Sequence, residues 1–579
     1  MDADVITKNV GLKMEEFRPR FERMDEDFDR WSMRDIGARG SFEYLTRLQD
    51  RARDTDIDIV SNDFRTFSDD VQSILSSSER QIRVRMAELE GEDKREEMGK
   101  LERLLEFAFE KADERLIALL MGTLKENLVW YSINRGWVAA RFLVYKVDKD
   151  VVFDFLPYDP RWLAFQVGAD GLSWSGYTTS YSKEEVESLF GEKGKEAISR
   201  PMYKLFGKTP DIYDVIDFWQ DDGKGRKTNA IICNNKFLKD PVTYDMESMP
   251  VLATPVATRP PIRGGDETEM AGYGESIFAP NRQIGGLLDK LASMWASHAN
   301  LLYKQPTINY YGEDGIELKS TAYLAEAVLN LPMGRNKLEP APMEEISPTL
   351  VNLVNWAERK RIRGSLPDVD VGGSPPSGTL YNLVQETSNR VYNPQLRNLN
   401  AFYSNACRLI EEQLIAGGVT TDKKERITRV KLEGEIKDKF YSVNVSPVDL
   451  KKPHIIKVEF TARTPWQQLD TWQIADMAKR QGLPESWIHE NILKLQDPKY
   501  IGALSAMELA DHSPKLAMLA SIEAFMKYGQ PEKAEQLMRD MFNMERQENA
   551  QTQTAENAAV PQPPEGGVVP AEPIPPEVM

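Results

Sequence analysis

Residues 276–302 read SIFAPNRQIGGLLDKLASMWASHANLL, and their apolar spacing predicts a long amphipathic helix. The Ser276 hydroxyl is placed to cap its first turn, and Pro280 stands where a missing backbone N–H costs little. At about 1.5 Å per residue such a helix would span roughly 40 Å. The helix either lies in the core of a large domain or extends beyond one. The neighbouring segments distinguish these two alternatives. The apolar stripe consists of Ile277, Ile284, Leu287, Leu288, Leu291, Met294, Trp295 and Leu302.

The segments after this helix predict a small insert and two further helices. Prolines break residues 303–347 into short strands and turns, which excludes a long helix there. A helix resumes from Thr349 to Arg363, and a second long helix is expected from Thr379 to Ile415, before a Gly-Gly stop. Pro394 lies in the middle of that second helix and is expected to kink it. The prolines of the insert region are Pro306, Pro332, Pro340, Pro342 and Pro348.

The segments before the first helix predict an α+β domain. Residues 1–60 are highly charged and are expected to form a loosely packed helical arm. From Phe64 to Leu128 the pattern is helical, and a run of strands joined by polar turns such as Asp148-Lys149-Asp150 follows. The expected buried helix face consists of Leu101, Leu104, Leu105, Ala108 and Phe109. The expected strands are Trp137–Tyr145, Val151–Leu156, Val215–Trp219 and Ala230–Cys233.

Composition limits the class of protein. The chain has 579 residues, 41% of them hydrophobic and 28% charged, which is ordinary for a globular protein. Its formal net charge of -18 disfavours a protein that reads DNA sequence through a tight grip, does not exclude a conduit for DNA, and is equally typical of an ordinary soluble surface. Cys233 and Cys407 are the only cysteines, so a reducing compartment is expected, with no disulfide framework or zinc site. No signal peptide or membrane span is expected.

The sequence contains no recognisable catalytic or metal-binding motif. No two histidines stand at the i, i+4 spacing of a helical zinc pair. Residues 223–228, GKGRKT, have the wrong order for a phosphate-binding loop and predict a hairpin turn. The aspartates at 54, 56, 58, 368 and 370 lack a calcium-loop pattern and are expected to be solvated. The chain is therefore predicted to be no enzyme and to need no cofactor. The histidines are His298, His454, His489 and His512.

The order of these elements resembles that of bacteriophage portal proteins over roughly residues 100–510. In that family a mixed wing leads through a Pro-x strand into a stem helix, and Pro250-Val251 and residues 274–277 (GESI) stand at those places. A small clip, a returning stem helix, a glycine-rich tunnel loop and a long kinked helix follow in the family. Residues 482–487 (GLPESW) and 495–498 (LQDP) resemble the short helices that open its crown. The resemblance implies an α+β, portal-like fold with a mixed α/β wing, long stem helices, a small clip insert and a helical crown.

On this resemblance the chain divides into nine segments. They are a charged N-terminal arm (1–60), the first part of the wing (61–272), a stem helix (273–302), the clip (303–347), the returning stem helix (348–363), the tunnel loop (364–378), the long kinked helix with the wing return strands (379–464), the helical crown (465–546) and a disordered tail (547–579). The arm has no counterpart in the family. The tail is rich in Gln, Asn, Ala, Pro and Glu, a composition typical of disorder.

The family's function implies a ring of twelve copies at one vertex of a phage capsid. Double-stranded DNA would pass through it non-specifically during packaging and ejection. The expected partners are other copies of this chain, the major capsid or scaffold protein, the terminase large subunit and tail adaptor proteins, and no membrane. The expected location is the portal vertex of the virion, after assembly in the host cytoplasm.

Two groups of residues are the candidate sites, besides the expected helix kink at Pro394. The first is the tunnel loop, where glycines would let the backbone move with the DNA. The second is the basic run RKRIR at 359–363, at the end of the returning helix. Cations at this place can simply cap the C-terminal end of the helix. Successive residues point about 100° apart around the helix axis, so these side chains cannot all reach that end. At least one of Arg359, Lys360 and Arg363 is therefore predicted to line the tunnel. The tunnel-loop candidates are Asp368, Asp370, Gly372, Gly373 and Ser374.

Two other classes of protein remain as alternatives. One is a different phage head–tail connector or internal structural protein, although small adaptors lack the length for this order of elements. The other is a DNA-processing enzyme, such as a nuclease or packaging ATPase. A carboxylate cluster around a metal ion or a true phosphate loop would identify it.

Overall fold

A computed structural model shows two compact units, Met1–Arg463 and Thr464–Met579. It describes residues 2–33, 59–86, 92–148, 150–169, 171–198, 212–257, 274–303, 307–311, 328–332, 337–340, 348–363, 378–421, 426–436, 439–451, 454–461 and 465–484, together with 488, 492, 493 and 539. No helix within these ranges is both long and apolar enough to cross a membrane.

The chain contains both helices and strands, in runs of each, which confirms the mixed α and β class predicted from the sequence. The helices are α1 (Ala3–Glu16), α2 (Arg18–Trp31), α3 (Asp63–Ser76), α4 (Glu92–Ala118), α5 (Leu124–Asn134), α6 (Lys183–Ile198), α7 (Arg282–Tyr303), α8 (Pro348–Arg363), α9 (Gly378–Ala416), α10 (Pro447–Leu450) and α11 (Pro465–Arg480). The strands are β1 (Glu79–Met86), β2 (Trp137–Val147), β3 (Asp150–Pro157), β4 (Leu163–Val167), β5 (Leu172–Ser182), β6 (Ile212–Asp221), β7 (Lys227–Cys233), β8 (Lys236–Tyr244), β9 (Val251–Pro255), β10 (Thr307–Tyr311), β11 (Val328–Pro332), β12 (Lys337–Pro340), β13 (Val430–Ile436), β14 (Lys439–Val445) and β15 (His454–Thr461).

The strands form small sheets whose pairing is mostly antiparallel. The largest has the order β4-β5-β6-β7-β8, and a second has the order β3-β2-β9. The hairpin of β2 and β3 and the strands at 215–219 and 230–233 lie where the sequence predicted them. Residues 222–226 connect β6 to its antiparallel partner β7, so the GKGRKT stretch belongs to a hairpin, as predicted.

The main core lies where α4, α5 and α9 pack on β2, β3 and β15. The apolar face predicted for α4 is buried, including Leu104 and Phe109, which have no exposed surface. Helix α9 is fastened to β2 by Gln413, whose side chain accepts the Val144 N–H at 2.8 Å and donates to the Phe142 carbonyl at 2.8 Å. The long helix is therefore part of the core at its C-terminal end.

The N-terminal helices are firmly packed, and the loosely packed arm expected for residues 1–60 is wrong for residues 3–31. Helix α1 buries Ile6 and Val10 against the five-stranded sheet. Helix α2 buries Phe21 and Met24 beside Trp137 at the start of β2. The apolar residues of α2 at 21, 24, 28 and 31 have the spacing of a buried helix face. The prediction of loose packing followed instead from the many charged residues between them.

Strand β1 corrects the helical pattern predicted from Phe64 to Leu128. Residues 79–86 (ERQIRVRM) alternate polar and apolar side chains, and they pair antiparallel with β15. Ile82 and Val84 are buried in the core as a result. The partner strand lies more than 300 residues away in sequence, at His454–Thr461, so local patterning gave no sign of the pairing.

In the second unit the structure describes α11 and a few residues beyond it. Ala475 and Ala478 on this helix pack against Ile488 and Leu493. Most of the expected crown and all of the expected disordered tail lie outside the described residues.

Candidate assembly site

Helix α7 begins at Arg282, six residues later than the sequence predicted. It has 22 residues, or roughly 33 Å at 1.5 Å per residue. Residues 277–280 form turns before it, with Phe278 fully buried in the core. Ser276 caps no helix: its hydroxyl donates to Asp27 at 2.6 Å and accepts the Phe278 N–H at 3.3 Å. The burial of Phe278 and the hydrogen bond from Ser276 to Asp27 thus hold this segment in turns rather than in a helix.

The base of α7 is anchored to α2 through buried charge. Asp27 is 2% exposed and accepts two hydrogen bonds from Arg282, at 2.8 and 2.7 Å. Burial lowers the pKa of Arg282, but the hydrogen bonds and charge of Asp27 outweigh this effect and raise it overall. Arg30 on α2 also donates to the Arg282 carbonyl. The first residue of α7 is therefore fixed by both its side chain and its backbone.

Helix α8 returns to the same end of α7 from which the chain departed. The Asn281 side chain, just before α7, donates to the carbonyl of Arg361, near the end of α8, at 3.0 Å. The Arg361 guanidinium pairs with Asp63 on α3 at 2.6 Å. The segment from residue 282 to residue 363 is therefore held at both of its ends, by α2 at its start and by α3 at its end.

The segment between α7 and α8 contains a three-stranded sheet of order β11-β10-β12. Strand β10 pairs parallel with β11 and antiparallel with β12. Asn309 is fully buried in it and donates from its side-chain amide to Asn330 at 3.1 Å. A small sheet thus occupies the region where the sequence predicted short, proline-broken strands.

Helix α8 exposes apolar side chains on two sides. Ala357 is fully buried, whereas Trp356 is 50% exposed and Leu353, Val351 and Ile362 are also exposed. At 100° per residue, Leu353 and Trp356 lie on one side of Ala357, and Val351 and Ile362 lie on the other. The helix therefore presents two separate apolar edges flanking the face that it buries.

The basic run at the end of α8 divides by environment. Arg359 is exposed, and Lys360 is partly exposed with its ammonium 5.9 Å from the Trp356 ring. Arg361 is half-buried and is used in the ion pair with Asp63. The side chain of Arg363 lies outside the described residues. The lining of a tunnel by Arg359, Lys360 or Arg363 stays a prediction.

The other predicted site residues lie on or before α9. Pro394 is half-buried within one continuous helix from Gly378 to Ala416, and the kink expected there stays a prediction. Four residues further along, the Asn398 amide donates to the Pro255 carbonyl at the end of β9, at 2.7 Å. The tunnel-loop candidates Asp368, Asp370, Gly372, Gly373 and Ser374 lie outside the described residues.

Sequence reasoning missed the charged residues that anchor the base of α7. Asp27 and Arg30 lie in the segment that was predicted to be a loosely packed helical arm, and their partners are about 250 positions away. The apolar spacing of α2 was the one available signal that its charged residues border a packed surface.

Within the described ranges, no group of three or more His, Cys, Asp or Glu side chains is placed to hold a metal ion. His454 Nε2 lies 2.9 Å from Glu411 Oε1 in a largely buried pair, and burial raises the pKa of Glu411 although the interaction with His454 lowers it. This pair joins β15 to α9. No protein-family model matches the chain, and no curated protein matches it.

Proposed function

We propose that the chain is a phage portal protein that forms a ring at one capsid vertex and conducts DNA during packaging and ejection. The observation that carries the proposal is the succession of α7, a three-stranded insert, α8 and the long α9 with an internal proline. It follows the stem, clip, stem and kinked-helix order implied by the family resemblance.

The two apolar edges of α8 support assembly into a ring. In a cyclic ring of identical chains each subunit uses two different surfaces, one for each neighbour. Trp356 and Leu353 suit one such surface, and Val351 and Ile362 suit the other. Exposed apolar side chains on both flanks of one helix leave apolar surface in water, which contact with a neighbouring subunit on each side would bury.

The anchoring of α7 and α8 at one end supports a wall-forming role. Asp27, Arg282, Asn281 and Arg361 fix the base of the helix pair. The exposed sides of the pair, together with the small sheet, would then contact neighbouring copies and docking proteins. In this proposal the sheet meets the terminase large subunit and later the tail adaptor proteins, and the wing meets the major capsid or scaffold protein.

The charge of the chain is compatible with a conduit for DNA. A net charge of -18 repels phosphate over most of the surface, so passing DNA is not held tightly. The basic run at the end of α8 supplies local positive charge. Repeated around a ring, it would make many weak contacts with DNA rather than one strong contact.

The test is to purify the full chain and determine its mass by size-exclusion chromatography with light scattering, with end-on views by electron microscopy. We expect closed rings with a mass about twelve times 65.9 kDa. A stable monomer at micromolar concentration and physiological salt would contradict the proposal. Open or irregular assemblies without a central channel would favour a different structural protein of the phage head.

A further inference from the structure

A small cavity lies where α2, the turn between α5 and β2, and the segment leading into α7 meet. Its volume of about 10 Å³ leaves room for one small guest, such as a water molecule or a monatomic ion. Four arginines border it, which is an unusual concentration of positive charge around so small a space. Its lining consists of Arg20, Arg23, Met24, Asp27, Arg135, Gly274, Ser276 and Arg282.

Three of the four arginines have carboxylate partners. Arg282 pairs with Asp27 at 2.7 Å. Arg135 pairs with Asp159 at 3.0 Å. Arg23 lies 3.6 Å from Glu275. The positive charge of these three is therefore balanced within the protein.

Arg20 is different. It is 4% exposed, and its Nε and Nη2 atoms have no hydrogen-bond partner among the described residues. Burial, reinforced by repulsion from Arg161, lowers its pKa to about 9, so the guanidinium still carries its charge at neutral pH. A buried cation that has no carboxylate partner among the described residues is costly, and it attracts an anion.

Aromatic rings satisfy only part of Arg20. Its guanidinium carbon lies 4.0 Å from the Phe17 ring centre, 4.6 Å from that of Trp137 and 4.9 Å from that of Phe21. Ring faces attract the cation, but they accept no directed hydrogen bonds from the N–H groups at the edge of the guanidinium plane. Those groups need an acceptor of their own.

We propose that this cavity binds one small inorganic anion of the size of chloride, held by the Nε–H and Nη2–H groups of Arg20. The volume of the cavity selects a monatomic ion over phosphate or sulfate, whose four oxygens need more space. Asp27 is engaged with Arg282 and Ser276, so it does not neutralise Arg20. The anion supplies the missing charge at the junction of α2 with the base of α7, independently of any ring.

The test uses the full chain and measures thermal unfolding in sodium chloride and in sodium gluconate at equal ionic strength, because gluconate is too large for the cavity. We expect chloride to raise the unfolding temperature by about 2–4 °C. In Arg20→Met, which keeps the apolar contacts with the rings and removes the charge, chloride and gluconate should give equal values. Arg18→Gln, an exposed arginine two residues away, should keep the chloride effect.

Chloride-35 line broadening in solution gives a second readout that does not depend on stability. Wild-type protein should broaden the signal, and bromide should reverse the broadening by competition. Equal unfolding temperatures in the two salts for the wild-type chain, together with no broadening, would overturn the proposal. Stabilisation by phosphate but not by chloride would also overturn it, since the site would then be larger than one ion. If Arg20→Met fails to fold, the wild-type measurements with bromide competition still show whether the chain binds chloride.

Discussion

At the scale of single residues, Asp27 is the buried charge on which the base of α7 depends. Its carboxylate accepts hydrogen bonds from Arg282 and Ser276. We predict that Asp27→Asn lowers the free energy of unfolding by about 3–5 kcal/mol, because the largely buried Arg282 guanidinium loses its hydrogen-bonded carboxylate partner. Urea unfolding, monitored by circular dichroism, measures this change in the free energy of unfolding. The control is Glu22→Gln, which removes the exposed partner of Arg18 and should cost less than about 1 kcal/mol. Equal costs for the two variants would contradict the anchoring role.

The basic run on α8 makes a second prediction at this scale. We predict that replacing Arg359, Lys360 and Arg363 together with Gln leaves ring assembly intact and alters DNA packaging or retention, because fewer cations face passing phosphates. Packaging assays and electron microscopy on the same preparation measure the two effects. The matched control is Arg361→Gln, which should lower stability through loss of its ion pair with Asp63. Failed rings in the triple variant would assign the run to subunit contacts, and no effect on either property would leave only helix capping.

At the scale of elements, the sequence predicted most helices and strands of the first unit but not what holds them together. Helices α8 and α9 lie within one residue of their expected bounds, because prolines and glycines mark their ends. Strand β1 was missed because its pairing partner is remote in the chain. The start of α7 was placed too early because an apolar stripe does not distinguish helix from a buried turn such as residues 277–280.

The candidate site was predictable only in outline. The order of helix, insert and helix was visible in the spacing of apolar residues and prolines. The anchors Asp27 and Asp63 were not, since ion pairs between distant segments leave no local pattern.

The segment leading into α7 requires glycine at residue 274. This residue has φ of +81°, and a Cβ there would lie 2.2 Å from Trp137 Nε1 and 2.9 Å from the Gly136 carbonyl oxygen. We predict that Gly274→Ala costs at least about 3 kcal/mol, because backbone strain and a steric clash with a buried ring add together. Gly223→Ala is the control, since it has φ of +71° with nothing within 4 Å and should cost only about 1–2 kcal/mol. Unfolding curves of both variants measure the difference, and similar losses would show that the close approach contributes nothing.

At the scale of the whole molecule, the first unit combines a well-packed body with an exposed helix pair. The body buries α4, α5 and α9 against its sheets, whereas α7 and α8 retain exposed apolar residues such as Met294 and Trp356. This division fits a subunit that folds alone and completes its apolar burial on assembly. If the proposed ring forms through α8, substitutions on α8 should disrupt it without unfolding the body.

The two apolar edges of α8 make the last prediction. Trp356→Glu and Ile362→Glu should each give folded monomers in light scattering, because each places a charge in one of the two surfaces of a head-to-tail contact. The expected loss is at least about 2 kcal/mol per interface for the tryptophan. Leu189→Glu, an equally exposed apolar position on α6, should still form rings.

Mixing the two variants distinguishes a head-to-tail ring from other assemblies. Each variant keeps one intact surface, and the intact surface of one is complementary to the intact surface of the other. An equimolar mixture should therefore form heterodimers that cannot extend, with a mass about twice 65.9 kDa. If both edges instead formed self-complementary contacts, each variant alone would dimerise through its intact edge, and mixing would add no new species. Rings that persist in both single variants would remove α8 from the interface, and rings that persist in one variant would remove the edge changed in that variant.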